Sequence, residues 1–229
     1  MLLVCIFLCS KLHQNDLYKL EYKFINEYKD NSNVKNAKYN SKVDNIPIYV
    51  ISMQKSTERR KKIKNILHNI PFTYFDGIDG SNMGIDNKLL VKKYVSSKAI
   101  PGVIGCFLSH LLLLQKLQKE DVDSALILED DIVIEDYNII NNITDFYDHD
   151  LKYDIIFLGH CLEVKGEYIK EMYDIHRSVK PLCTHAYLIS KNGIKNILNI
   201  IESHKPYSVP IDHIFKLSNL QLFFIKWDT

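Results

Sequence analysis

The stretch ALILEDDIVIE at residues 125–135 places three consecutive acids, Glu129, Asp130 and Asp131, inside an otherwise apolar run. A short apolar run of this kind predicts a buried strand, and an unpaired charge inside a strand core costs several kcal/mol. A positive group or water must therefore reach these acids. Because successive side chains of a strand point to opposite faces, we expect Glu129 and Asp131 on one face and Asp130 on the other.

The acids stand where the strand would run out to the edge of a sheet, and ligands of open α/β sheets bind beyond the carboxyl ends of the strands. Two carboxylates at such an edge form an oxygen pocket for Mg²⁺ or Mn²⁺ that keeps coordination positions for water and phosphates. The triplet is equally typical of a solvated loop after a strand. A receiver domain is excluded, because the strand YDIIFLGH ends in Gly159 and His160 where that fold requires an aspartate.

Strand and helix patterns alternate on both sides of the triplet. This order favours an α/β domain with a mostly parallel sheet and flanking helices. The predicted strands are IPIYVISM (46–53), FTYFDGIDG (72–80, running into a turn), ALILEDDIVI, YDIIFLGH (153–160) and THAYLIS (184–190); the predicted helices are ERRKKIKNILHNI, GVIGCFLSHLLLLQKLQK (102–119) and KNGIKNILNII (191–201).

Composition bounds the possible functions. Lys plus Arg (29) nearly balance Asp plus Glu (28), so the net charge gives no indication of nucleic-acid binding. The five cysteines form no CxxC pair, and Cys106, Cys161 and Cys183 are expected to be reduced core residues. Residues 1–45 are expected to hold a short apolar leader and a helical or linker segment, and residues 46–229 the folded domain. The apolar residues 1–10 predict either a weak membrane-associating leader or an end that packs on the domain.

Several motifs around LILEDD occur in an order that resembles glycosyltransferase family 25, over about residues 47–215. They are YVISMQKSTERRKKI, FTYFDGIDG, GVIGCFLSH, CTHAYLISKNG and VPID. That family includes lipooligosaccharide galactosyltransferases of LPS biosynthesis and the galactosyltransferases that modify hydroxylysine in collagen. The resemblance implies a GT-A (nucleotide-diphospho-sugar transferase) fold with a Rossmann-like sheet. It also implies a UDP-hexose donor, Mn²⁺ or Mg²⁺ as cofactor, and inversion at the anomeric carbon.

Roles for three sets of residues follow from this resemblance. Glu129 and Asp131 match the acidic motif that binds the metal and the diphosphate, with Asp130 on the ribose or sugar of the donor. Asp212, in VPIDHIF, matches the position of a catalytic base that takes the proton of the acceptor hydroxyl. An aspartate at a helix start equally often caps the helix, and both interpretations stay open.

Further residues have both a functional and an ordinary structural interpretation. Arg59, with Arg60 next to it, follows the first strand and can pair a phosphate, although exposed helix arginines are commoner. Asp76 and Asp79 can bind the donor's ribose, but aspartates are also common in turns. Other positions noted near the expected cleft are Gly102 and Gly105 for close backbone approach, Ser109-His110 as a helix pair that packs internally, and His160 and His185 as acceptor or metal contacts.

The sequence thus predicts transfer of a hexose, with galactose as first choice, from a UDP-sugar to a glycan or hydroxylysine acceptor. Because the chain stops soon after Asp212, a metal ligand from a C-terminal loop is not evident, and a truncated domain is expected. The alternative is a degenerate, non-catalytic module that binds a nucleotide-sugar or a glycan. The sequence does not distinguish a cytoplasmic from an endomembrane-associated location.

Overall fold

A computed structural model describes residues 46–83, 85–95, 99–134, 151–159, 165–170, 175–179, 181–207, 210–216 and 219–225. The leader and linker expected in residues 1–45 lie outside the described residues, as do His160 and Cys161, so the domain boundaries stay a prediction. None of the helices in the described ranges is long and apolar enough to cross a membrane.

Helices and strands alternate through the described part of the chain. The strands are β1 (Ile48–Ser52), β2 (Thr73–Asp76), β3 (Ser124–Glu129), β4 (Ile155–Phe157), β5 (Lys165–Lys170), β6 (Ile175–Ser178), β7 (Ala186–Ser190) and β8 (Leu222–Ile225). The helices are α1 (Thr57–Ile66), α2 (Ile85–Tyr94), α3 (Pro101–Lys119), α4 (Lys191–His204) and α5 (Ile211–Lys216).

The described strands form one sheet in the order β2-β1-β3-β7-β4-β8-β6-β5. Strand β1 pairs in parallel with β2 and β3, and β4 pairs in parallel with β8. Strand β7 is antiparallel to β3 and β4, and β6 is antiparallel to β8 and β5. All strands but β6 and β7 therefore run in one direction. The expected α/β architecture, with a mostly parallel sheet and flanking helices, is confirmed.

Both faces of the sheet are buried, which explains the near-continuous apolar runs of its strands. Along β3, Ala125 and Ile127 pack in the core that contains the apolar side chains of α3 and α4. Leu126 and Leu128 face the opposite core, which is covered by Ile63 of α1. Helix α3 is buried along most of its length, in agreement with its leucine-rich sequence.

The cysteines differ from the expectation at one position. Cys106 is free, as predicted, but it is half-buried at the cleft rather than enclosed in the core. Cys183 is disulfide-bonded, so its prediction as a reduced core residue is wrong, and its partner lies outside the described residues. The physical reason is that disulfide formation depends on the distance between two Cβ atoms in space, which the spacing of cysteines along the chain does not give.

Candidate active site

The acidic triplet lines a cleft at the carboxyl ends of three parallel strands. Strands β1, β2 and β3 end at the same edge of the sheet, where a cavity of about 430 Å³ opens. This volume lies within the range of small-ligand pockets. Its polar lining residues are Ser52, Lys55, Arg59, Asp79, Ser81, Ser109, His110, Glu129, Asp130 and Asp131, joined by Cys106 and by Gly77, Gly80, Gly102 and Gly105.

The three acids do not divide between two faces as an extended chain would place them. Strand β3 ends at Glu129, and Asp130 and Asp131 form a turn. The alternation therefore holds between Glu129 and Asp130 but does not continue to Asp131. Glu129 points toward α3, whereas Asp130 and Asp131 both approach Arg59 of α1.

Glu129 is held by two side chains on the α3 side of the sheet. Its Oε1 accepts a hydrogen bond from Thr184 Oγ1 at 2.7 Å and lies 3.0 Å from His110 Nε2. Since a carboxylate only accepts, the Nε2 of His110 is the donor. Burial alone would raise the pKa of Glu129. The hydrogen bond and positive charge of His110 and the hydrogen bond from Thr184 outweigh burial and lower this pKa to about 2. Glu129 is therefore an anion at neutral pH.

His110 is fully buried beneath Glu129. Its Nδ1 lies 2.8 Å from the Tyr187 hydroxyl, and the two rings stack. Burial would lower the pKa of His110, but Tyr187, Cys106 and Glu129 hold it well above its ordinary value. The expectation that Ser109-His110 packs inside the protein is confirmed, because both residues are buried.

Asp130 and Asp131 share Arg59 as a positive partner. Asp130 is buried; its Oδ2 accepts from Ser52 Oγ at 2.7 Å and its Oδ1 from Arg59 Nη1 at 2.9 Å. Asp131 lies 3.5 Å from the same nitrogen, and its side chain is 54% exposed. The hydrogen bond and charge of Asp130 raise the pKa of Arg59. Arg59 on one side and His110 on the other thus supply positive charge that lets the apolar strand end in three acids.

The opposite rim of the cleft carries a second ion pair. Asp79 pairs with Lys55 and accepts hydrogen bonds from the Ser81 hydroxyl and N–H at 2.6 and 3.0 Å. These contacts lower the pKa of Asp79 to about 2, and the hydrogen bond from Lys55 has the largest effect. This rim is fastened to α3 by Ser109, whose Oγ accepts from the Ile78 N–H at 2.8 Å.

Asp76 and Asp212 lie outside the cavity lining. Asp76 accepts from Gln54 Nε2 at 2.7 Å and pairs with Arg60, whose guanidinium also bonds the Ser52 carbonyl at 2.6 Å. Asp212 lies in the first turn of α5; its Oδ2 accepts from the Cys183 N–H at 3.2 Å, and its Oδ1 from the next backbone N–H at 2.9 Å.

Three residues of the site do not follow from the sequence pattern. They are Lys55, which lines the cleft, and Thr184 and His110, which bond Glu129. The motif GCFLSH, which ends in His110, indicates this residue, because the resemblance to the family rests on this motif together with LEDD. His185 contributes its backbone carbonyl, which accepts the Glu129 N–H at 2.8 Å.

The acid-lined cleft lies beyond the carboxyl ends of parallel strands, which is where ligands bind in open α/β sheets. A family model described as glycosyltransferase family 25 (LPS biosynthesis protein) matches residues 45–215. The chain belongs to glycosyltransferase family 25.

The relatives include insect, bacterial and vertebrate proteins. A glycosyltransferase 25 family member of Aedes aegypti is 28% identical over 183 residues, covering 72% of this chain and 29% of that protein. The lipooligosaccharide biosynthesis protein lic2B of Haemophilus influenzae is 34% identical over 92 residues, 38% of this chain and 34% of that protein. Procollagen galactosyltransferase 1-B of Xenopus laevis is 24% identical over 169 residues, 66% of this chain and 28% of that protein. The chain thus spans about a third of these relatives' length.

Proposed function

We propose that the chain transfers a hexose, with galactose as the first candidate, from a UDP-sugar to a hydroxyl of a glycan or hydroxylysine acceptor. Family membership supports glycosyl transfer, and the relatives named for lipooligosaccharide biosynthesis and procollagen galactosylation support the sugar and the acceptors. The observation that carries the proposal is the line of acids at the end of β3, open to a cleft of about 430 Å³.

We propose that Glu129, from the α3 side of the cleft, and Asp131, from the Arg59 side, bind a divalent cation of the Mn²⁺ or Mg²⁺ kind. Glu129 and Asp131 both line the cavity and offer carboxylate oxygens, the atoms that these hard cations prefer. Glu129 is ionised, and Asp131 is about half exposed and reaches solvent. When bound, the cation supplies positive charge against the diphosphate that leaves the sugar.

The chain's own cations have a complementary role in this proposal. Arg59 and Lys55 line the cleft with exposed side chains. Each forms an ion pair with an aspartate and can exchange this partner for a phosphate of the donor. Asp79 and Asp130 remain candidates for the hydroxyls of the ribose or sugar. Asp76 is a weaker candidate for that role, because its carboxylate already accepts from Gln54 and Arg60.

Asp212 is proposed as the base for an inverting displacement. It removes the proton from the acceptor hydroxyl while that oxygen attacks the anomeric carbon, and the bond from this carbon to the diphosphate breaks with its electron pair. Asp212 lies outside the cavity lining, and what links it to the site is its contact with the Cys183 N–H, since the next residue, Thr184, bonds Glu129.

Release of UDP from UDP-galactose and UDP-glucose, measured with and without Mn²⁺, tests the proposal. We expect metal-dependent release that Asp131→Ala abolishes. The matched control is Asp123→Ala, which removes an exposed aspartate next to the other end of β3 and should keep full activity.

One outcome would contradict the enzyme proposal, and another would contradict the role of Asp131. Retained UDP binding without turnover in the wild-type chain would favour the non-catalytic binding module. Activity that survives Asp131→Ala would show that Asp131 does not hold the cation. Asp212→Asn separates the base from the cation site, because it should lower kcat while UDP binding persists.

A further inference from the structure

Glu129 is held by a chain of side chains that reaches deep into the core. His110 of α3 and Tyr187 of β7 are both 0% exposed. The Tyr187 hydroxyl lies 2.8 Å from His110 Nδ1, and His110 Nε2 lies 3.0 Å from Glu129 Oε1. A buried polar chain of this kind, with its hydrogen bonds satisfied, fixes the orientation of its members.

Packing fixes the imidazole as well. The His110 and Tyr187 rings stack with centroids 5.7 Å apart, and Phe157 and Phe215 pack against Tyr187 from other directions. Rotation of the imidazole away from Glu129 would therefore break the stack and the Tyr187 bond together. His110 is a rigid donor rather than a flexible neighbour.

Both donors to Glu129 use the same oxygen. His110 and Thr184 bond Oε1, and among the residues that the structure describes no side chain bonds Oε2, which is thus the oxygen available to a ligand. We propose that His110 is a positioning residue, whose Nε2–H fixes the Glu129 carboxylate so that Oε2 is presented to the cleft. The inference rests on the proposed function, since it takes Glu129 to bind the cation of the donor complex.

A competing arrangement uses the same side chains. Ligand atoms of Cys106, His110 and Glu129 lie within 4.8 Å of one another, a donor set that suits a soft cation such as Zn²⁺. In that arrangement Nε2 carries no proton and binds the metal, and Cys106 binds as the thiolate. The hydrogen bond from His110 to Glu129 then does not exist in the bound state, so the two arrangements are separable by experiment.

Two neutral substitutions of His110 form the test. In His110→Gln, the amide nitrogen replaces Nε2 and can still donate to Glu129. In His110→Asn, the side chain reaches Tyr187 but leaves Glu129 without this donor. Both variants lose the imidazole and its charge; Gln keeps the donor to Glu129 and Asn keeps the contact with Tyr187, so higher Mn²⁺ affinity of the Gln variant points to the bond to Glu129. Thr184→Val, which removes the other donor to Oε1 at similar volume, is a second, independent variant.

Mn²⁺ affinity of the full chain with saturating UDP is the readout, followed by loss of the free Mn²⁺ EPR signal. We expect His110→Asn to weaken Mn²⁺ binding by roughly 10- to 100-fold, the usual effect of losing a partner of a metal ligand. His110→Gln should stay within about fivefold of wild type, because a neutral donor replaces the original one. Thr184→Val should fall between them. Near-UV circular dichroism checks that each variant folds.

Each contrary result has a separate meaning. Equal Mn²⁺ affinity in wild type and all three variants overturns the positioning role but leaves the proposed function standing. Wild-type chain that binds no Mn²⁺ with UDP overturns both. A thiolate-to-metal absorption band with Co²⁺ that Cys106→Ser removes identifies Cys106 as a metal ligand. Loss of the same band in both His110→Asn and His110→Gln adds His110 to the ligand set, and this overturns its role as a donor to Glu129.

Discussion

Two glycines of the same helix are predicted to respond to alanine in opposite ways. Gly102 and Gly105 both lie in α3 and both line the cleft. A Cβ added at Gly105 would lie 2.5 Å from the Ile78 carbonyl oxygen and 3.1 Å from the Gly80 nitrogen. A Cβ added at Gly102 would meet nothing within 4 Å. The sequence left close backbone approach open at both positions, and the structure assigns it to Gly105.

The magnitude follows from the contacts. Both substitutions gain up to about 1 kcal/mol of helix propensity. Gly105→Ala also overpacks against backbone, which costs about 1–3 kcal/mol. Shifting the Ile78 carbonyl strains the Ile78 N–H bond to Ser109, which adds about 0.5–1.5 kcal/mol. We therefore expect Gly105→Ala to destabilise the protein by about 1–3 kcal/mol and Gly102→Ala to leave it unchanged or slightly more stable.

Urea unfolding and thermal unfolding of the two variants, beside wild type, measure the effect. The expected loss for Gly105→Ala corresponds to a fall in Tm of roughly 2–12 °C for a domain of this size. UDP affinity should fall as well, because the loop that moves carries Gly80 and Ser81 of the cavity lining. Equal stability of the two variants, or a more stable Gly105→Ala, would refute the close contact between α3 and this loop.

Two further predictions concern charged residues at the cleft. Arg59→Ala should weaken UDP binding by roughly 10- to 100-fold, the effect of losing a hydrogen bond to a charged group. Arg60→Ala should mainly lower the free energy of unfolding, because Arg60 bonds β1 and β2. Isothermal titration and urea unfolding measure the two effects, and equal UDP affinity of the two variants would contradict the role of Arg59. Asp79, whose pKa is lowered to about 2, should stabilise the fold above its ordinary pKa of 3.8, an effect lost as the pH falls toward 2. Carboxyl NMR should show Lys55→Met moving this titration back toward 3.8, and an unchanged titration would contradict the ion pair.

The sequence predicts the fold better than it predicts the contacts of the site. The order of the five predicted strands and three predicted helices follows from apolar periodicity, which burial on both faces of the sheet imposes directly. The location of the acids at the end of β3 also follows from this pattern. The antiparallel direction of β7 does not follow, because periodicity is the same for either direction and only the path of the chain between strands decides it.

The acidic triplet shows where pattern reasoning stops within the site. Alternation of faces requires extended backbone, and β3 ends at Glu129, two residues before Asp131. Asp131 therefore joins Asp130 beside Arg59, and Glu129 stands alone on the α3 side. Such a difference depends on where one strand turns, and the composition of the triplet does not encode it. The role of Asp131 as a metal ligand stays a prediction that the UDP-release assay decides.

The motif GCFLSH acquires a physical meaning once α3 is placed beside the cleft. Gly105, Cys106, Ser109 and His110 follow helical spacing and line the cleft along one face of the helix. Gly105 admits the loop after β2, Ser109 bonds that loop, and His110 bonds Glu129 at the end of β3. One helix face thus sets the distance between the two rims of the cleft. A change on this face should alter ligand binding even where the changed side chain touches no ligand, which is the premise that the His110 and Gly105 variants test.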